Sequence, residues 1–210
     1  MGDLSLYTAP VIALIYTLAF LGGFVIMSLE LLGGRILAPY FGSSIYVWGS
    51  IITIFMLSLA SGYLLGGRWS MYNPSITKFS WIFVVAAICL YPLILFAEPV
   101  MANIFNHVED PRYGSLLASG ILFIVPTVFL GMISPYSVRL LVDNVEHSGM
   151  VAGGLYFVST LGSALGTLFT SFYFVLIFEI NELLLCMVAT LVILGLTGLT
   201  ASKLVGLNTK

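Results

Sequence analysis

Charge is scarce in this sequence: seven Lys and Arg and nine Asp and Glu make up 8% of 210 residues. A soluble domain of this length needs a polar shell, and a chain that is 60% hydrophobic with a mean hydropathy of +1.12 has too little charge to build one. The sequence is therefore that of an integral membrane protein. Seven basic residues scattered along the chain leave no basic stripe for nucleic acid. Only Cys89 and Cys186 carry thiols, each inside an apolar run where it acts as a small hydrophobe, so no disulfide framework or C-x-x-C chemistry is expected. His107 and His147 fall in connections on opposite sides of the expected topology, and no His, Cys and carboxylate cluster has zinc or haem spacing. No metal or cofactor is expected. A nucleophile elbow, a phosphate loop and a G-x-G-x-x-G unit after a strand are missing as well, so no enzyme activity is expected. No basic residue precedes the first apolar run and no small-residue cleavage site is present. The N-terminus thus reads as a retained helix rather than a cleaved signal peptide.

What is present is a series of long apolar runs. Backbone polar groups in hydrocarbon must be satisfied within their own segment, and about 20 apolar residues cross the bilayer core, so the expectation is an all-α polytopic membrane protein. Six spans are predicted, at Pro10 to Leu29, Ile45 to Leu65, Phe79 to Ala97, Gly114 to Ile133, Met150 to Phe178 and Leu183 to Ala201, in a single transmembrane domain covering 1–210. The fifth run is longer than a straight span needs and should tilt or project. Pro126 and Pro135 predict a kink or break in or just after the fourth. Short connections set orientation through their Lys and Arg. With both termini inside, the cytoplasmic segments hold Arg68, Lys78, Arg139, Lys203 and Lys210, and the outer ones hold Arg35 and Arg112. The same topology gathers Glu30, Glu98, Glu109, Asp110, Glu179 and Glu182 on the outer side, a setting that favours cations.

Between Leu4 and Gly67 the only charges are Glu30 and Arg35. Five residues apart, they would lie about 140° apart on an unbroken helix of 3.6 residues per turn. Gly33, Gly34 and Pro39 instead predict a turn or short re-entrant segment after the first span, at which the two charges can meet. Alternatives are that Arg35 reaches Glu98 or Glu179, or that both charges snorkel to the headgroups. Tyr40, Phe41, Tyr46 and Trp48 flank this segment, either as interfacial belt residues or, with Glu30, as an aromatic and carboxylate cage for an organic cation. The candidate substrate-binding set is Glu30, Arg35, Tyr40, Tyr46, Trp48, Glu98 and Glu179, although Glu98 and Glu179 also suit interfacial helix ends. Small residues at four-residue spacing, Ser58, Gly62 and Gly66 in the second span and Gly149, Gly153, Gly162 and Gly166 in the fifth, mark close helix contacts, with Ser159 and Ser163 one step round. They serve either packing within the chain or a homodimer seam.

The stretch "ELLGGRILAPYFGSSIYVWGSIITIFMLSLASGYLLGGR", Glu30 to Arg68, resembles the membrane domain of bacterial membrane-bound spermidine synthase-like proteins, often described as fused transporter and spermidine synthase. The pattern is carried by Glu30, Arg35, Leu37, Ala38, Pro39, Phe41, Gly42 and Ser44, then Val47 and Trp48, then Gly62, Tyr63, Gly66 and Gly67. It continues in "LGMISPYSVRLL", with Pro135, Arg139 and Leu140, and in the glycine-rich "GGLYFVSTLGSALGTLFTSF". The resemblance implies a bacterial inner membrane and covers most of the chain. It does not extend to the cytoplasmic aminopropyltransferase domain that follows the last helix in the fused proteins, so no catalysis carries over. Two functions stay open. One is a small transporter of polyamines or related organic cations, embedded in membrane lipid as a six-helix unit or a homodimer. The other is a non-enzymatic membrane partner that docks a separate aminopropyltransferase-like or methyltransferase-like protein through the connection holding Arg139, Asp143 and Glu146, and through the C-terminal tail.

Overall fold

In a computed structural model, residues 9–142 and 147–208 are described, and among them the chain is all helix. Asp143, Glu146 and Lys210, of the expected docking region, lie outside the described residues. Six segments are long and apolar enough to cross a membrane: Ala9–Phe41, Ile45–Ser70, Ile76–His107, Pro111–Leu141, Ser148–Ile177 and Ile180–Leu204. The protein is a multi-pass membrane protein.

The first span is a single helix, α1 (Ala9–Phe41), which runs unbroken through Gly33, Gly34 and Pro39. This corrects the expected break or re-entrant segment. The glycines are there for close approach: Trp48 covers Gly34, where a Cβ would stand 2.6 Å from its ring, and Phe123 covers Gly33 at 3.3 Å. Packing on both sides outweighs the helix cost of about 1 kcal/mol per glycine. Pro39 sits in the last turns, where it removes the amide bond back to the Arg35 carbonyl but does not end the helix. The turn comes later, at Gly42, whose φ of 77° is open to glycine without strain.

The second span is α2 (Ile45–Ser70). The third is two helices, α3 (Ile76–Leu90) and α4 (Pro92–His107), and the fourth is α5 (Pro111–Gly131) and α6 (Ile133–Leu141). Both interruptions precede a proline that lacks an amide: Pro92 cannot bond back to Ile88, and Pro135 cannot bond back to Gly131. The break predicted around Pro126 and Pro135 thus falls at Met132, while Pro126 stays inside α5. The fifth span contains a π-helical segment near its end. Helix α7 (Ser148–Phe169) passes into π geometry over Thr170–Phe174, followed by a last turn, α8 (Val175–Ile177). Helix α9 (Ile180–Asn208) completes the bundle.

The closest pairings are α2 with α5, α1 with α7 and α3 with α9. Lipid tails are as apolar as the side chains, so these contacts depend on intimate packing and polar contacts rather than on hydrophobic drive. Gly62 lies against the Val128 carbonyl and Gly66 against the Met132 backbone, while Ser58, one turn earlier, is buried with its hydroxyl unpartnered among the described residues. Gly162 and Gly166 rest on the carbonyls of Phe20 and Phe24. The second-span stripe and the Gly162 and Gly166 part of the fifth-span stripe therefore pack within the chain. Gly149 and Gly153 meet nothing within 4 Å. The α1–α7 seam is also hydrogen-bonded: Thr170 Oγ1 donates to Ser28 Oγ at 2.8 Å, and Ser28 donates to the Gly166 carbonyl at 3.3 Å.

Candidate functional site

Where α1, α4 and α9 converge near the last turn of α8, they enclose a cavity of about 640 Å³. That is within the 300–1,000 Å³ range of small-molecule sites. Its walls are apolar, with Ile36, Leu93, Ile94, Ala97, Met101 and Leu184, and its polar groups are Arg35, Tyr40, Glu98, Glu179 and Asn181. Four of the seven sequence-predicted binding residues thus share one cavity, although three separate spans and the α8–α9 turn supply its wall.

Each polar group reaches the cavity for a local reason. Arg35 projects from α1 and its Nη1 donates to the Val175 carbonyl at 2.7 Å. The end of a helix leaves carbonyls without partners and carries partial negative charge, so a guanidinium there is stabilising. Arg35 is consequently a cap on the fifth span. It makes no ion pair with Glu30, Glu98 or Glu179, which corrects the expected pairings: one ion pair forms among the described residues, Arg112 to Asp110 at 2.6 Å. Glu179 immediately precedes α9, and Glu182 one turn on accepts a hydrogen bond from the Glu179 amide at 3.0 Å. This is half of a capping box, and it leaves the Glu179 carboxylate uncommitted. Glu98 stands on α4 just before Pro99. Neither the Glu98 nor the Glu179 carboxylate has a polar partner among the described residues. Two carboxylates against one guanidinium give the lining a negative excess.

The remaining predicted residues lie elsewhere. Tyr46 stands beneath the Arg112 guanidinium, 5.8 Å from its ring centre, in a surface cluster with Asp110. Hydrogen bonds from Arg112 hold the Asp110 carboxyl below the usual carboxylate range. Trp48 is occupied with Gly34, on another face of α1. Glu30, half-buried within α1, keeps its place on an intact helix well round from Arg35 and has no polar partner among the described residues. No aromatic cage forms around it from Tyr40 and Tyr46. Arg139 is exposed on α6, remote from the cavity. Sequence reasoning missed Asn181 and the apolar wall from α4, because nothing in a single apolar run tells which face turns toward a cavity. Comparison with known protein families, curated proteins and solved structures finds no match to this chain.

Proposed function

We propose that the protein is a small transporter-like membrane unit that binds an amine-bearing organic cation, of the polyamine class, in the cavity between α1, α4 and α9. The observation that carries this reading is the pair of unpartnered carboxylates, Glu98 and Glu179, facing an apolar cavity beside the Tyr40 ring. An ammonium group is recognised by charge-assisted hydrogen bonds and by an aromatic face, and the methylene chain between two amines suits apolar walls. The motif resemblance to the membrane domain of spermidine synthase-like proteins points to the same class. The excess of Lys and Arg at the opposite end of the bundle supports a cavity that opens outward from a bacterial inner membrane, with both termini in the cytoplasm.

Binding tests this directly. The purified protein should bind spermidine or putrescine saturably in titration calorimetry, and Ala97→Trp, which fills the cavity without altering a charge, should weaken binding at least about tenfold. Unchanged binding in Ala97→Trp would place the amine elsewhere. A second reading, a membrane partner for a soluble aminopropyltransferase-like or methyltransferase-like protein, is favoured by Arg139, exposed on α6 and without a polar partner among the described residues. It predicts co-purification of such a protein from native membranes and its loss in Arg139→Glu.

A further inference from the structure

A second cavity, of about 420 Å³, lies among α1, α2, α6 and α7, and it differs in character from the first. Among the described residues no charged group lines it. Its polar lining is six hydroxyls, from Tyr63, Ser134, Tyr156, Ser159, Thr160 and Ser163. Ser163 Oγ bonds to the carbonyls of Gly23 and Ser159, at 3.2 and 3.1 Å. The other five hydroxyls have no partner among the described residues. Hydroxyls facing hydrocarbon at this depth would be costly, whereas a polar cavity far larger than the roughly 30 Å³ share of one water molecule is suited to hold several.

Helix α1 contributes Gly23, Ile26 and Met27 to this cavity. At 100° per residue, Glu30 continues that same stripe, three and four residues beyond Met27 and Ile26, and so stands one helical turn past the α1 residues that line the cavity. Arg35 and Ile36 lie on other faces, at the first cavity. Glu30 is thus an unpartnered carboxyl inside a membrane-spanning helix, aligned with a hydroxyl-lined cavity. Intramembrane carboxyls in this setting pair, bind a cation or carry a proton. Among the described residues no cationic side chain pairs with it, and Arg35 is turned onto Val175.

We propose that Glu30 and the hydroxyl-lined cavity form an intramembrane proton-binding site. Water in the cavity delivers a proton from a hydronium ion to the Glu30 carboxylate and takes it back to form hydronium again, so charge and atoms balance with no other reactant. The titratable groups brought to this face by the packed helices are Tyr63 from α2 and Tyr156 from α7. Both are phenols, which offer a carboxylate a hydroxyl and no cationic partner. Helix α6 contributes Ser134 and Pro135 to the cavity, and α5 places the Phe123 ring over the neighbouring Gly33. Glu98 from α4 and Glu179 at the start of α9 belong to the first cavity, on another side of α1. The site is independent of whether an amine occupies that first cavity.

A carbodiimide that attacks protonated carboxyls in apolar surroundings tests the site on the full chain in liposomes, with the modified residue located by mass spectrometry. Glu30 should be labelled at about pH 6 and at least tenfold less at about pH 9, because the reacting form falls tenfold per pH unit above the group's pKa. In infrared difference spectra between the same two pH values, a carboxyl band should shift in D2O within the mixing time. That band should disappear in Glu30→Gln, persist in Glu98→Gln/Glu179→Gln, and exchange about tenfold more slowly in Thr160→Leu, which fills the cavity from its exposed rim. The labelling needs no substitution, so it holds even if Glu30→Gln does not fold. Absence of label on Glu30 at both pH values, equal labelling at both, or a band indifferent to D2O would overturn the proposal.

Discussion

Gly162→Leu should abolish the folded bundle. At this position a Cβ would run into the carbonyl oxygen of Phe20, with the Phe20 carbonyl carbon at 2.8 Å and its Cα at 3.1 Å. Backbone cannot rotate aside as a side chain can, so relief requires α7 to move away from α1. That movement would pull apart the next turn as well, where Gly166 rests on Phe24 and where Ser28 bonds to Gly166 and Thr170. Even Gly162→Ala should lower stability by about 3 kcal/mol, the upper range of overpacking penalties, and this is a large fraction of a typical total of about 5–15 kcal/mol. Gly153→Ala provides the contrast. It is on the same helix in a similar four-residue pattern but meets nothing within 4 Å, so its effect should stay within about 0.5 kcal/mol. Thermal unfolding in detergent, read together with monodispersity on a sizing column, measures all three. A Gly162→Leu protein as stable as its parent would remove the α1–α7 seam from the account.

The second large effect concerns the cavity. Glu98→Gln/Glu179→Gln removes both negative charges while keeping side-chain volume, and it should weaken spermidine binding at least about a hundredfold. The magnitude follows from charged hydrogen bonds worth about 1.5–3 kcal/mol each, since 1.4 kcal/mol corresponds to a factor of ten. Glu98 stands mid-helix in α4 beside Pro99 and Glu179 just ahead of α9, neither carboxylate has a polar partner among the described residues, and the capping of α9 is done by Glu182. The fold should accordingly survive the double change, with a melting temperature close to that of the parent. Binding would become less sensitive to salt too, because the lost contribution is electrostatic.

How much of this was legible in the sequence differs by residue. The spans were legible because hydrophobic length has one physical meaning in a bilayer. The break in the fourth span was legible from Pro135, whose missing donor acts locally. Gly33 and Gly34 misled, because a glycine permits a turn and permits close packing, and only the neighbours decide which. Trp48 and Phe123, far away in sequence, are what turn these two into packing positions on a continuous helix. The same continuity separates Glu30 from Arg35 on the helix surface, and of the two only Arg35 lines the first cavity. Arg35 drew notice as a charge in an apolar run, but its partner, the Val175 carbonyl, is a backbone atom freed by a helix end and has no side-chain signature. The grouping of Arg35, Tyr40, Glu98 and Glu179 required the packing of α1, α4 and α9, which no single run encodes. The hydroxyl-lined cavity was hidden in plain composition: Ser159 and Ser163 stood out as small residues and Tyr63 only as part of the motif, whereas Tyr156 read as an ordinary member of its span and Ser134 as the start of the connection after the fourth.

Uptake of radiolabelled spermidine into liposomes containing the purified protein is the measurement closest to the central claim. Uptake should be saturable, exceed that of protein-free liposomes and be lost in Glu98→Gln/Glu179→Gln. Uptake equal to that of protein-free liposomes, or undiminished in the double variant, would contradict that claim.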